Sequence, residues 1–284
     1  MATQHATIAR ARLFSTLSPV YNRTPRFVNT LKEASKLALT KSEPITKPFG
    51  FDDKVTLQDT SESILKMFSK KKRDRRLRQL DHDIVHSPFY ESKSFTNTKG
   101  KIFTPPVSYF KQDRAKYFPN VVATSLLGNK RELYALFADK VSLVRIYTTL
   151  SGENCTKTYL DGYLDEAGYV RLLEEYHNVQ IVDLSLPQSW IKGVFLSMGS
   201  GTLRRSLPKA RQDMYFTLAH GYFDVDTRKA LKCDNACSGY LYVVDEQAKI
   251  RWATSGNATD SEKEILWMTV RGLERELLRK EADE

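Results

Sequence analysis

The residues able to attack, ligate a metal or carry a proton are few. Cys155 lies in SGENCTKTYL, directly after the strand-like run VSLVRIYT. A thiol oxidoreductase needs C-x-x-C at such a place, because a resolving thiol must sit within disulfide reach of the low-pKa attacking one. Cys155 has no such neighbour. The other two cysteines, Cys233 and Cys237, are spaced C-x-x-x-C and fall far downstream. Three cysteines so placed make neither a disulfide framework nor a four-ligand zinc site. Inert packing is the reading they favour, with thiol chemistry at Cys155 as the alternative.

His82 and His86 stand at i, i+4 in DHDIVH, which puts two imidazoles on one helix face beside Asp81 or Asp83. No further ligand is within reach in the sequence, so a solvated helix end is favoured over a metal site. His177 and His220 have no carboxylate pattern around them. The chain has no phosphate loop, no G-x-G-x-x-G, no G-x-S-x-G and no H-E-x-x-H. The residues therefore point to a protein that is not an enzyme and uses no cofactor.

The net charge of +10 is unevenly spread. Residues 1–32 hold five basic residues and no acid; residues 66–78, KMFSKKKRDRRLR, hold eight basic residues and Asp74. These two segments carry more positive charge than the whole chain, so the remainder is slightly acidic. The first of them, MATQHATIARARLFSTLSPVYNR, is rich in Ser, Thr, Ala and Arg and has the composition of a mitochondrial transit peptide, with Arg12-Leu13-Phe14-Ser15 resembling a matrix-protease site. No window approaches the ~20 apolar residues of a membrane helix, so a soluble or peripheral protein is expected.

The second basic run presents Lys70, Lys71, Lys72, Arg73, Arg75, Arg76 and Arg78 among Met67, Phe68, Leu77 and Leu80. Phosphates of nucleic acid are one match for it, but the aromatic platforms that single-strand binders use are nearly absent, and nucleic acid is not the expected partner. Anionic lipid is another: a polybasic segment gains about 1 kcal/mol per charge near such a surface. A plain solvated charge run is the third.

The elements that must position these residues begin late in the chain. Residues 33–113 are rich in Pro, Ser, Lys and Thr with patchy apolar periodicity, and read as a weakly ordered basic arm carrying a short helical piece at TLKEASKLALTK and one amphipathic helix, SESILKMFSKKKRDRRLRQLDHDIV. From residue 114 the texture is that of a folded domain. The strands FPNVV, VSLVRIYT and VQIVDLSL are interleaved with helical spacing near Arg131–Phe137, in LDEAGYVRLLEEY and around Ser189–Leu203. RQDMYFTLA and a short helix near Asp226–Leu231 follow. The chain closes with GYLYVVD and KIRWATSG, joined by Glu246-Gln247-Ala248, and a helix opened by the capping box Thr259-Asp260-Ser261-Glu262.

A central strand, a helix, a parallel strand by crossover, an antiparallel hairpin and a last helix make an α/β mixed sheet in the order of a thioredoxin-like fold. No Pro precedes GYLYVVD, where thioredoxins place the residue facing the attacking sulfur. The expected organisation is a transit-peptide region at 1–32, the arm at 33–113, and a thioredoxin-like domain at 114–284.

YFPNVVATSLLGNK at 117–130 and SGYLYVVDEQAKIRWATSGNATDSE at 238–262 resemble the mitochondrial ATP synthase assembly factor family named after yeast ATPase complex subunit ten. The likeness covers roughly 115–275, and the first third shows none. It implies a non-catalytic, chaperone-like factor, peripheral on the matrix side of the mitochondrial inner membrane. In that role it would hold newly made subunit six (subunit a) of the Fo sector until it joins the subunit nine ring. The partner contacts then fall on Tyr240, Tyr242, Arg251 and Trp252 of the hairpin, since aromatic residues and Arg are common interface anchors. Packing of the inward-facing aromatics under the terminal helix through Leu266, Val270, Leu273 and Leu277 is the competing reading. Arg251, beside Trp252, must face out or find a pair.

Overall fold

The computed structural model of the chain describes residues 38–57, 74, 77–82, 87–186, 204–205, 207–218 and 222–283. The transit-peptide region, Lys70 to Arg73, Arg75, Arg76, His86, His220 and the helix expected at 189–203 lie outside the described residues.

The frame is a five-stranded sheet. Its centre is β6 (Val141–Tyr147), flanked by the parallel β7 (Val179–Ser185) and the antiparallel β9 (Gly239–Val244); β8 (Tyr215–Thr217) and β10 (Ile250–Ser255) form the edges, giving the order β10-β9-β6-β7-β8. VSLVRIY and VQIVDLS are buried at every position, as strands covered on both faces must be. The crossover from β6 to β7 carries α3 (Leu150–Lys157) and α4 (Glu166–Glu175). The hairpin β9–β10 and α7 (Asp260–Asp283) complete the thioredoxin-like arrangement of an α/β fold.

Each face of the sheet has its own apolar layer. On one side Leu143, Ile181, Val243 and Trp252 meet Leu172 of α4 and Leu266, Val270 and Leu273 of α7. The reciprocal bonds of the capping box, Thr259 N–H to Glu262 Oε2 (3.0 Å) and Glu262 N–H to Thr259 Oγ1 (3.3 Å), fix where α7 starts. On the other side Val144, Ile146, Val182 and Tyr242 meet Phe118, Val121 and Phe137. Phe118 leads into and Val121 lies in a smaller sheet, β2 (Thr56–Leu57), β4 (Asn120–Thr124) and β5 (Lys130–Glu132), and Phe137 comes from α2 (Leu133–Phe137).

The described parts of the arm are folded into the domain. β1 (Glu43–Pro44) pairs in parallel with β3 (Phe103–Thr104), α1 (Pro88–Thr98) starts at a Ser87 cap, and residues 77–82 are helical. Ile45, Phe49 and Phe103 are buried in the same layer as Tyr240 and Tyr242. Phe103 stacks on Tyr240 with centroids 6.0 Å apart, and Phe49 contacts both Phe103 and Tyr242. The weak periodicity that suggested disorder reflects single large side chains used as plugs. Short extended stretches need only one or two such anchors and leave no repeating pattern.

Candidate functional site

In open α/β sheets ligands collect at the carboxyl ends of the parallel strands, beside the head of the following helix. Here that is the end of β6 and the start of α3. The Thr149 hydroxyl caps α3 by accepting from Gly152 N–H (3.3 Å). Across the gap stands the loop Cys233–Ser238 that leads into β9. Thr149 donates to the carbonyl of Ala236 (3.0 Å), and Ser151 to that of Cys237 (2.8 Å). Gly152 and Gly239 close the rest: a Cβ on either would overlap backbone of the facing segment. Helix and strand are thus sewn together at this end of the sheet.

Cys155, in the second turn of α3, is 2% exposed. Its Sγ lies against Gly100 of the arm. Burial pushes its thiol up from the ordinary value, against smaller opposing pulls from the Gly239 backbone and Lys101. A thiol so placed stays protonated near neutrality and is a poor nucleophile. Cys233 is buried too, with its thiol pushed up to about 12 by burial and then by Asp234. Cys237 is half-buried, and burial followed by the charge of Glu91 raises its thiol. All three are free thiols.

Behind Thr149 lies a buried charge cluster that the sequence reading missed. Arg145 Nη1 donates to Asp183 Oδ1 (2.5 Å), and Arg211 Nη2 to Asp183 Oδ2 (2.5 Å). Arg145 Nε reaches Thr156 Oγ1 of α3 (3.1 Å), and Arg211 Nη1 reaches the carbonyl of Leu164 (2.7 Å). The Tyr147 hydroxyl also donates to Asp183. One carboxylate thereby ties two strands, the crossover and α5 (Lys209–Gln212) into a rigid block. A signal was present in the sequence: VSLVRIY and VQIVDLS each break an apolar run with one charge at the fifth position, and those residues are register partners.

The four hairpin residues expected at a partner surface are interior. Tyr240, Tyr242, Arg251 and Trp252 are at most 2% exposed. Trp252 packs under α7, as the competing reading holds, and its indole N–H donates to the carbonyl of Pro106 (3.1 Å). Tyr240 and Tyr242 face the opposite layer, with hydroxyls donating to the carbonyls of Asn235 and Leu231. Arg251 finds partners: Nη1 to Asp245 Oδ2 (3.1 Å), Nη2 to Glu276 Oε2 (2.8 Å) and Nε to the carbonyl of Phe110 (2.6 Å).

Tyr240 and Tyr242 are covered because β9 is an interior strand; on β10, a β-bulge between Ile250 and Trp252 interrupts the alternation, and residues 103–118 cover the outer edge through bonds such as Ile250 N–H to Lys116 O (2.8 Å). Of the seven basic positions expected at a membrane surface, Arg78 is described; it is exposed and 3.5 Å from Asp226 of α6 (Val225–Leu231). His82 is buried with Nε2 3.3 Å from Asp234. No cluster of three metal-ligating side chains occurs among the described residues.

Over residues 29–273 the chain matches the family described as ATP10 protein. The chain belongs to that family. It is 35% identical over 236 residues to mitochondrial ATPase complex subunit ATP10 of Saccharomyces cerevisiae, covering 78% of this chain and 84% of the yeast protein. The protein of the same name from Eremothecium gossypii is 35% identical over 216 residues, covering 75% of this chain and 78% of its own. Among solved structures, a thiol:disulfide interchange protein DsbE from Chlorobium tepidum aligns with a TM-score of 0.40 at 11% identity, over 56% of this chain and 96% of its own. A DsbF homologue from Corynebacterium diphtheriae aligns with a TM-score of 0.38 at 9% identity, over 60% and 93%. The family match starts at residue 29, ahead of the 115–275 that carry the resemblance in the sequence, so the arm falls within the family's extent.

Proposed function

We propose that this chain is a non-catalytic assembly factor of the mitochondrial ATP synthase, which binds newly made subunit six (subunit a) of the Fo sector and promotes its joining to the subunit nine ring. The observation that carries this reading is the identity, over most of both chains, to relatives named as mitochondrial ATPase complex subunits. The site geometry agrees with it. The place where this topology would hold an attacking thiolate is filled by backbone contact at Gly152 and Gly239, and Cys155 is covered. Both features speak against the alternative of a thioredoxin- or peroxiredoxin-like thiol protein acting through Cys155.

Import directed by residues 1–32 and a peripheral position on the matrix face of the inner membrane belong to the same proposal. No described helix is long and apolar enough to cross a bilayer, and attachment in this reading comes from the basic run 66–78 on anionic lipid. Since Tyr240, Tyr242, Arg251 and Trp252 are interior, client contact falls to other surfaces, and these four residues serve by holding the domain in shape. The test is to pulse-label mitochondrial translation products in organelles carrying a tagged copy of the chain, then isolate the tag in mild detergent. Selective recovery of labelled subunit six, fading through the chase as the synthase forms, is the expected result. Recovery of no translation product would overturn the proposal.

A further inference from the structure

One of the charged contacts between the arm and the body of the domain lies at α1. Glu91 of α1 is 9% exposed. Its Oε2 accepts from Ala236 N–H (3.2 Å), and its main-chain carbonyl accepts from Asn235 Nδ2 (2.9 Å). From the helical segment just before α1, His82 reaches Asp234 of the same loop, and one turn earlier Arg78 pairs with Asp226. Both helical pieces of the arm therefore grip Cys233–Ser238 and α6 through ionisable side chains.

The charged and titratable groups that act on Glu91 come from each element around it: Arg228 of α6, His82 of the arm, and Asp234 and Cys237 of the loop. A carboxylate buried beside one guanidinium and one opposing acid is poorly compensated, and burial outweighs the other influences on it, lifting its pKa to about 7. The neutral acid fits the site better than the ion. Protonation also keeps the bond to Ala236, because the carbonyl oxygen of a carboxylic acid still accepts.

Beside this junction is a cavity of about 240 Å³ with the apolar side chains of Leu39, Ile102 and Phe103 in its wall and Asp234 and Asn235 at the clasped loop. The arm supplies Leu39, Ile102 and Phe103 together with Glu43, and the body supplies Lys229, Lys232, Asp234 and Asn235, so the cavity lies along the seam between the two.

We propose that Glu91, together with His82 and the loop Cys233–Ser238, forms a proton-dependent clasp that holds the arm to the domain and loosens when Glu91 ionises. Loosening widens the seam on which the cavity lies. The clasp is a property of the fold and does not depend on which client the protein holds.

The test is hydrogen–deuterium exchange of the full chain between pH 5 and pH 8, corrected for intrinsic exchange, in peptides covering 88–98 and 233–238. In the wild type, protection of the Ala236 amide is expected to fall about tenfold per pH unit up to about pH 7 and then level off. Glu91→Gln, which imitates the protonated acid, is expected to hold the low-pH protection throughout. His82→Gln is expected to lower protection while keeping the slope. A flat wild-type profile overturns the proposal, and so does a wild-type slope that survives in Glu91→Gln, which would assign the titration to another group.

Discussion

Gly152 and Gly239 lie backbone against backbone, the carbonyl of Gly152 occupying the space that a Cβ on Gly239 would need. Residue 152 lies in the first turn of the helix after the central strand and residue 239 opens the antiparallel one, so this contact fixes the helix against the strand. Gly239→Ala is expected to destabilise the chain by about 2 to 3 kcal/mol through overpacking, read as a shift in urea midpoint. Gly128→Ala is the control: nothing lies within 4 Å of the added methyl, and only the strain of its positive φ, about 1 kcal/mol, is expected. Equal effects at the two positions would show that the contact is not tight.

The thiols supply a second prediction. Alkylation by iodoacetamide at pH 7.5 is expected to modify Cys237 first and to leave Cys155 and Cys233 unmodified until the chain is unfolded, because burial both hides these two and raises their pKa values. Cys155→Ser is expected to support synthase assembly at the wild-type level. Rapid labelling of Cys155 in the native protein, or loss of assembly in a folded Cys155→Ser variant, would restore the thiol reading.

The domain from Phe118 onward was legible because its strands and helices obey simple periods. The capping box at Thr259 and Glu262 marked the last helix to the residue, and the β-branched, mostly apolar VSLV and VQIV announced strands. The arm was not legible, since Ile45, Phe49 and Phe103 follow no repeating apolar period and their burial rests on contacts distant in sequence, such as Phe49 and Phe103 with Tyr242 and Tyr240. The hairpin residues misled for a related reason. Arg251 and Trp252 on the edge strand β10 look like an interface only while that edge is free, and nothing local in KIRWAT discloses that residues 103–118 cover it or that a bulge interrupts the alternation next to Arg251; Tyr240 and Tyr242 lie on the interior strand β9.

Arg251 gives a prediction that separates structure from recognition. Its removal strands Asp245, 1% exposed at the side chain, without its cation. Arg251→Ala is therefore expected to cost about 3 to 5 kcal/mol of unfolding free energy, the usual penalty for breaking a buried pair. A variant within about 1 kcal/mol of wild type in urea that nonetheless failed to assemble the synthase would return Arg251 to the partner surface.

The pH dependence of stability follows from Glu91. Its pKa is raised from 4.5 to about 7 in the folded chain, so between those values the folded state keeps a proton that the unfolded state gives up. Stability from this group is then present below pH 4.5, lost as pH rises towards 7, and constant above. Glu91→Gln cannot ionise and is expected to exceed the wild type by about 2 to 3 kcal/mol at pH 8, with the gap closing at pH 4.5. Parallel urea titrations at the two pH values measure it, and a gap that is equal at both would exclude Glu91 as its source.

Near an anionic bilayer each Lys or Arg contributes about 1 kcal/mol, and the effect fades with salt over a Debye length. Neutralising Lys70, Lys71, Lys72, Arg73, Arg75, Arg76 and Arg78 together is expected to abolish co-flotation with cardiolipin-containing liposomes, whereas Arg78→Gln alone should weaken it little, since that side chain is already within reach of Asp226. Raising salt from about 0.05 M to 0.5 M should reproduce the loss in the wild type. Equal flotation of the neutralised variant and the wild type would assign membrane attachment to some other surface and leave the run a solvated stretch of charge.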